Sequence, residues 1–413
     1  MRAEIQTSTP SAWLAASLAL GLLLAHVTEA RAAGFSQGMQ GAASSGMAGA
    51  ATARADSAEV GFYNPSAWAW HEGAQLSLGV AAIMGSITHI APTDQARTEA
   101  ITKVGLPPYF HGAYGFGQFA LGLSLSVPFG SGLGWPEDWD GRFEVTSIAL
   151  QAFELAPTVA WSPIEQLSLA VGPRFLSATV EYRRGIDTVN PENEGTVYLG
   201  ASSRALAAQA ALLYRPIDDL TFGLSYRSRA DLNFTGAAHF ENIPIELSQK
   251  AHDSSARTTL TLPDRWALGA AYASLWGTLS LDLEYVTWST FDEFAIDFDD
   301  EDVPDVKQPR NWRDTLSLRV GYEYGELFPG LSLRTGFAID PTPSPSDTLS
   351  PSQPDSDRFV VTIGAGYKLG AGLTLDLSYG HLFFSGAQPT GEAFEGRYES
   401  SANVVSAGLS FRQ

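Results

Sequence analysis

Apolar and polar residues alternate with a period of two along many short stretches between residues 75 and 412. In 279–285 the odd positions hold three leucines and a tyrosine, while the even positions hold Ser, Asp and Glu. The stretches 316–323 and 373–380 alternate in the same way. Such alternation is typical of a β-strand that has one apolar face and one small or polar face.

The connections between these predicted strands alternate regularly between short and long. Six short connections lie at 115–117, 162–166, 216–219, 274–277, 325–330 and 370–372. Seven long connections lie at 89–108, 130–147, 185–200, 236–257, 292–311, 341–356 and 386–400. These thirteen connections join fourteen strands and place every tight turn on one side of the sheet. We therefore predict an all-β fold, a 14-stranded antiparallel transmembrane β-barrel of the outer-membrane type.

A soluble β-sandwich would show the same alternation, and the start of the chain favours the membrane instead. Residues 1–32 are typical of a cleaved signal peptide, with Arg2, an apolar run over 13–25 and the small-x-small triplet 30–32. The run is shorter than the ~20 residues that span a bilayer as a helix. An exported chain of amphipathic strands without a spanning helix is best placed in the Gram-negative outer membrane, where a closed barrel satisfies its own backbone.

Composition excludes several classes of site and partner. The chain has no cysteine, so a disulfide framework and a thiolate site are both excluded. Its formal net charge of −20 argues against nucleic acid as a partner. The acidic residues of 292–305 lack the spacing of an EF-hand, so they either lie in solvent or bind divalent cations, and we predict no defined metal site. No His-Glu-x-x-His sequence occurs, and we predict no enzyme activity and no cofactor.

Aromatic residues flank the predicted short turns, as they do in the interfacial girdles of membrane barrels. They are Trp161, Tyr214, Phe222, Tyr272, Tyr322, Tyr324 and Tyr367. The last strand, 403–412, carries Val, Ala, Leu and Phe on one face. This resembles the terminal insertion signal of bacterial barrels, and the barrel-assembly machinery is therefore an expected partner.

The segment 33–73 precedes the first strand and is rich in Gly, Ala and Ser. Only Arg54, Asp56 and Glu59 are charged in its first thirty residues. It is too short for a core of its own, so it either folds inside the barrel lumen or remains a disordered periplasmic tail. The predicted domains are a signal peptide (1–32), an N-terminal hatch that plugs the lumen (33–73) and a barrel (74–413). Candidate wall partners for the hatch charges are Arg174, Arg227, Arg229, Asp282, Glu284, Arg319, Glu323, Arg334 and Asp376.

These features together resemble the outer-membrane transporters for long-chain fatty acids and other hydrophobic compounds, the FadL and TodX type. The mature chain would begin Ala33-Gly34-Phe35, as members of that family do, and Asn64-Pro65-Ser66 is similar to their Asn-Pro-Ala hatch motif. Ser66 is the one departure within this motif. Further similar stretches are 262–266, 285–291, 334–336, 340–345 and 354–359.

The resemblance implies a barrel plugged by a hatch and a mechanism of hydrophobic transport. A ligand is captured at the extracellular loops and enters the lumen, and the hatch, with Phe35, Asn64, Pro65 and Ser66, then rearranges. The ligand leaves sideways through a gap at a kinked third strand. In that strand Gly122 and Pro128 are the candidates for the kink, because Gly permits bulges and Pro donates no ladder hydrogen bond.

Two loops carry apolar residues where a solvated loop should be polar, and these either capture ligand or pack on one another. The candidates are Leu133, Trp135, Trp139, Phe240, Ile243, Ile245 and Leu247. A fatty-acid carboxylate in the lumen would pair with a cation. Arg174 and Arg319 are the candidates, and each is equally suited to a structural ion pair.

We therefore expect uptake of hydrophobic molecules such as long-chain fatty acids, with a general porin for small polar solutes as the alternative. A porin would have an open lumen and a disordered N-terminus. A purely structural or adhesive barrel is a third possibility. Outer-membrane lipid and lipopolysaccharide are expected partners, nucleic acid is not, and a closed barrel is expected to be a monomer because its sheet needs no partner to close.

Overall fold

The computed structural model describes residues 34–188, 194–391 and 394–413. The predicted signal peptide lies outside the described residues. Among those residues no helix is long and apolar enough to cross a membrane. Ala42–Ser45 forms one short α-helix, and three 3₁₀ helices follow at Ala58–Phe62, Pro65–Trp70 and Trp288–Thr290.

β-Strands make up most of the chain from Gly73 onward, and they form one closed antiparallel sheet. The strands are β1 (Gly73–Ile90), β2 (Arg97–Glu99), β3 (Pro108–Phe116), β4 (Phe119–Gly134), β5 (Ser147–Ile164), β6 (Leu167–Ile186), β7 (Gly195–Ile217), β8 (Leu220–Arg227), β9 (Ala230–Glu241), β10 (Ser254–Leu262), β11 (Arg265–Ser274), β12 (Gly277–Val286), β13 (Glu293–Phe298), β14 (Val306–Pro309), β15 (Thr315–Phe328), β16 (Leu331–Asp340), β17 (Arg358–Gly370), β18 (Leu373–Phe384) and β19 (Arg397–Arg412).

Sixteen of these segments build the barrel wall, and they make fourteen wall strands because two pairs of segments are each one interrupted strand. The pair β8 and β9 forms the seventh wall strand and β10 with β11 the eighth, while β2, β13 and β14 belong to the long loops. β1 pairs with β19 from Gln75↔Arg412 to Ile90↔Arg397, so the sheet has no open edge. The predicted 14-stranded antiparallel barrel is confirmed, and closure satisfies the backbone groups that an edge would expose in lipid.

The six short turns predicted from the sequence all join neighbouring wall strands. Four of them contain a glycine with positive φ, and two of these glycines also lie against neighbouring backbone. Gly277 has φ +143° with the carbonyl oxygen of Glu323 2.1 Å from where a Cβ would lie, and Gly372 has φ +77° with the carbonyl oxygen of Arg412 at 2.0 Å. Both backbones suit glycine alone, which explains how such short links reverse the chain.

The apolar face of each wall strand points outward, which separates this barrel from a soluble sandwich. On β12, Leu279, Leu281 and Leu283 are 38–49% exposed, whereas Ser280 and Asp282 are 1% and 2% exposed. The outer surface is therefore apolar and the lumen polar, the reverse of a soluble protein. This orientation fits a wall surrounded by lipid.

Residues 34–71, for which we keep the name hatch, pack against the inward face of the wall strands. Ala48, Asn64, Ser66 and Trp68 are 0% exposed, although the segment has only short helices. Its many Ala, Gly and Ser side chains let the backbone approach the wall closely: a Cβ on Gly336 of β16 would lie 2.2 Å from the carbonyl carbon of Met47. The segment is packed against the wall and is not an extended tail.

Candidate functional site

The Asn64-Pro65-Ser66 motif ties the hatch to itself and to the wall. Asn64 caps the 3₁₀ helix that begins at Pro65, and its Nδ2 donates to the carbonyl oxygens of Thr52 (2.8 Å) and Leu212 of β7 (2.9 Å). Ser66 Oγ donates to Asn64 Oδ1 at 2.5 Å, a bond that Ala at this position would lack. The motif is fully buried, so each of these bonds holds the hatch in place.

Gly122 makes room for the hatch and is not a kink. It pairs in regular register with Ala113 on β3 and Thr158 on β5. A Cβ on Gly122 would lie 2.1 Å from Cζ3 of Trp68, a fully buried side chain of the hatch. The expectation that Gly122 bends the third strand is therefore wrong, because the glycine instead accommodates the indole ring.

The irregularity in the third wall strand lies at Pro128, the second predicted position. The β4–β5 register shifts between Ser126 and Phe129, and pairing of β4 with β3 ends at Leu125. The beginning of the hatch bonds to this unpaired stretch. Gln37 N donates to Pro128 O (2.8 Å), and Gly130 N donates to the carbonyl oxygen of Phe35 (3.1 Å). The hatch thus completes the ladder where the wall strand is irregular.

Phe35 of the hatch packs in a cluster of aromatic side chains inside the barrel. It is 5% exposed, and its ring centroid lies 4.8 Å from Trp288, 5.6 Å from Trp312, 6.0 Å from Phe129 and 6.1 Å from Phe291. The cluster continues into a wider set of buried apolar side chains. These include Leu150, Leu176, Val180, Leu232, Phe234, Leu262 and Val286. The lumen above the hatch is therefore apolar over many residues, in contrast to its charged lower part.

Arg174, the first candidate ligand cation, is engaged in a structural ion-pair triad. Its Nε donates to Glu154 (2.8 Å), and Nη1 donates to the carbonyl oxygen of Ser228 (2.7 Å). Arg227 pairs with the same carboxylate and also donates to the carbonyl oxygen of Phe62 in the hatch (3.2 Å). Arg174 is 2% exposed and fully partnered, as a buried charge must be.

Arg319, the second candidate, is engaged in the same way. It lies 3.4 Å from Glu284 and 3.1 Å from Asp340, and it donates to the carbonyl oxygen of Ala48 at 3.2 Å. Arg174 therefore pairs within the wall, whereas Arg319 joins the wall to the hatch. A carboxylate ligand would have to displace an existing carboxylate to reach either one.

The three hatch charges find different partners. Arg54 reaches the predicted wall residue Glu323 (3.0 Å) and also pairs with Asp56. Glu59 bonds within the hatch, accepting from the amide of Ser44 (2.5 Å). Among the other proposed partners, Asp282 accepts from the hatch amides of Ala51 (2.9 Å) and Thr52 (2.8 Å).

Arg229 was expected to face the lumen, and that expectation is wrong. The register against β7 shifts by one residue between β8, where Gln209 pairs with Arg227, and β9, where Ser202 pairs with Thr235. One extra residue at this bulge inverts the faces of the strand. Arg229 is consequently exposed.

The apolar loop residues mostly pack on one another. Leu133, Trp135 and Trp139 are 2–6% exposed, and the two indole rings stack with centroids 4.4 Å apart. Of the second loop, Phe240, Ile243 and Leu247 are half-buried and Ile245 is 84% exposed. Of these seven candidate loop residues, only Ile245 has a largely exposed side chain.

The acidic segment 292–305 forms the hairpin of β13 and β14, and Asp300 bonds to His252 (3.0 Å). Across the described ranges, no group of three or more His, Asp or Glu side chains is placed to hold a metal ion.

Comparison with known proteins agrees with this architecture. The family described as outer membrane protein transport protein (OMPP1/FadL/TodX) matches residues 23–412. A putative outer membrane protein of Neisseria meningitidis is 24% identical over 428 residues, covering 91% of each chain. A long-chain fatty acid transport protein of Salmonella typhi is 26% identical over 197 residues, covering 45% of this chain and 44% of that protein.

Two solved structures share the fold. A FadL homologue of Pseudomonas aeruginosa superposes with a TM-score of 0.83 at 19% identity, over 92% of this chain and 99% of that one. The toluene transporter TodX of P. putida gives a TM-score of 0.75 at 15% identity, over 91% and 99%. The chain therefore belongs to the OMPP1/FadL/TodX family of outer-membrane transport proteins and is a β-barrel of the Gram-negative outer membrane.

Proposed function

We propose that this protein transports long-chain fatty acids or related apolar compounds across the outer membrane by capture, hatch rearrangement and lateral release. Transport of hydrophobic compounds is the activity of the family to which the chain belongs. One relative is named a long-chain fatty acid transport protein and one structural neighbour a toluene transporter. Both names support an apolar cargo.

The observation that carries this proposal is the apolar cluster of the lumen, closed by Phe35. An alkyl chain gains ~0.8 kcal/mol for each methylene that it buries, so a lumen lined by aromatic and aliphatic side chains attracts such a chain strongly. The space that Phe35 fills becomes available when the beginning of the hatch moves. A polar solute would gain nothing from this lining.

Lateral release is supported by the irregularity at Pro128. On the lipid side of the wall, an apolar groove of about 480 Å³ crosses β5, β6 and β7 and reaches Leu125 of β4, three residues before Pro128. Its lining includes Leu125, Phe153, Leu155, Phe175 and Leu206. A ligand that passes the irregular strand would meet apolar side chains and lipid, and it would avoid a return to water.

The porin alternative is not favoured, because the chain belongs to a family that transports hydrophobic compounds. The lumen also contains the hatch. A polar cavity of about 250 Å³ between the hatch and the wall is lined by charged residues such as Arg54, Glu59, Glu323 and Arg334, which are largely paired with one another. The OMPP1/FadL/TodX family is a family of transport proteins and not of enzymes. We further propose that the barrel works as a monomer, surrounded by lipopolysaccharide after insertion by the barrel-assembly machinery.

The test is uptake of radiolabelled oleate by Gram-negative cells that lack their own transporter. Cells with the protein in the outer membrane should take up oleate several times faster than cells with an empty vector. A variant that lacks residues 35–67 should insert but leak small polar solutes. Uptake of oleate at the empty-vector rate, despite confirmed insertion, would reject fatty acid as cargo, and labelled toluene then tests the aromatic class.

A further inference from the structure

Two tryptophans of the lumen cluster carry polar groups with no partner. Trp288 is 0% exposed and Trp312 is 4% exposed. Within the part of the chain that the structure describes, neither indole Nε1 has a hydrogen-bond acceptor. A buried N–H without an acceptor is unfavourable and needs an explanation.

Other buried tryptophans of the chain do donate their indole N–H. Trp68 donates to the carbonyl oxygen of Ala58 (3.2 Å), Trp135 to Pro351 (3.1 Å) and Trp139 to Val145 (2.9 Å). In those places the fold supplies a backbone acceptor. At Trp288 and Trp312 the neighbours are apolar side chains, so the described residues supply no acceptor and an oxygen of a ligand could take that place.

The beginning of the hatch covers both rings. A Cβ on Gly34 would lie 2.8 Å from Cζ3 of Trp312 and 3.0 Å from Cζ2 of Trp288. Gly34 has φ +60°, and its amide donates to Asp355 of an extracellular loop (3.1 Å). Phe35 packs edge-on against Trp288. Any movement of these two hatch residues therefore uncovers the two indoles.

The two lumen arginines that the sequence suggested as ligand cations are already engaged by wall carboxylates. Arg174 and Arg319 already pair with Glu154, Glu284 and Asp340. The two neutral N–H donors of Trp288 and Trp312, whose rings lie 5.1 Å apart, belong to the apolar cluster itself and have no partner within the described residues. Donors of this kind in an apolar pocket fix the orientation of a ligand.

We propose that the indole N–H groups of Trp288 and Trp312 bind the carboxyl oxygens of a long-chain acid whose alkyl chain lies in the apolar cluster. This inference rests on the proposed function and adds the recognition of the acid group. The two tryptophans then distinguish an acid from a hydrocarbon of the same length, because a hydrocarbon leaves both donors unsatisfied. The acid and the hydrocarbon pack equally well against the aromatic rings, so the rings do not distinguish the two ligands.

The experiment uses Trp288→Phe, Trp312→Phe and the double variant, which keep an aromatic ring and remove the N–H. Trp266→Phe, on the outward face and 44% exposed, is the matched control. Binding of palmitate and of hexadecane to the purified full-length protein is measured by equilibrium dialysis with radiolabel. Each single variant should bind palmitate about tenfold more weakly, the scale of one hydrogen bond to a charged group. Hexadecane binding should not change.

Equal weakening of palmitate and hexadecane would overturn the proposal, because the rings would then act by packing alone. Unchanged palmitate binding in the double variant would overturn it as well. Failure of the proposed function is a separate result: the wild-type protein would then fail to raise cellular uptake of either ligand, whatever the binding of the variants.

Discussion

Replacing Asn64 with alanine should loosen the hatch without unfolding the barrel. The change removes two N–H donors and leaves the buried carbonyl oxygens of Thr52 and Leu212 unsatisfied, together with the hydroxyl of Ser66. Each unsatisfied buried group costs about 1–3 kcal/mol, so we take about 3 kcal/mol in total. That free energy shifts the equilibrium between the seated and the displaced hatch about 150-fold.

The assay is ion conductance of the purified protein in planar bilayers, together with oleate uptake by cells. Asn64→Ala should raise the conductance and abolish uptake, since the displaced hatch no longer organises the lumen. Ser66→Ala is the matched control: it removes one donor, keeps both Asn64 donors and should change the equilibrium only about fivefold. Wild-type conductance and uptake in Asn64→Ala, with a normally inserted barrel, would refute this role and leave the motif with packing alone.

The remaining predictions concern three other positions of the hatch and its seat. Phe35→Ala should cost about 3–5 kcal/mol of hatch seating, because the ring has four aromatic neighbours, and tryptophan emission of the lumen cluster should shift to the red. Gly122→Val should displace the hatch and raise conductance, whereas Gly85→Val, with nothing within 4 Å of its Cβ, should behave as wild type. Burial raises the pKa of Asp355 from 3.8 to about 6, so the folded protein binds more protons at this carboxyl than the unfolded chain between these pH values. The stability of the folded protein should therefore fall as the pH rises from about 4 to 6, and Asp355→Asn should remove this contribution in a fluorescence-detected unfolding titration.

The alternation of residues was sufficient to predict the barrel, because lipid imposes one apolar face on every wall strand. It did not predict the break in the seventh strand. There one inserted residue at Ser228 and Arg229 inverts the two faces, and nothing in the sequence marks an insertion of that kind. Arg229 was accordingly assigned to the wrong face.

The residues of the apolar cluster were harder to predict than the wall. Trp288 and Trp312 lie in the connection between β12 and β15, and Phe35 lies in the hatch. These residues are far apart in the sequence, and they come into contact only in the folded barrel. The sequence signal for Trp288 was its position within 285–291, a stretch that resembles the family. For Trp135 and Trp139 the sequence left ligand capture and packing between loops equally open, because long loops that bury one another look solvated in sequence; in the structure the two rings are buried and stacked.

The bonds between the hatch and the irregular part of β4 couple two events that a transporter must keep in order. The residues that cover the lumen, Phe35 and Gln37, are also those that complete the ladder at Pro128 and Gly130. Under the proposed mechanism, lifting these residues opens the binding space and, in the same movement, removes the partner that completes the irregular strand. The side exit would then stay sealed as long as the hatch is seated, so lipid and solute would have no continuous path across the membrane in the resting protein.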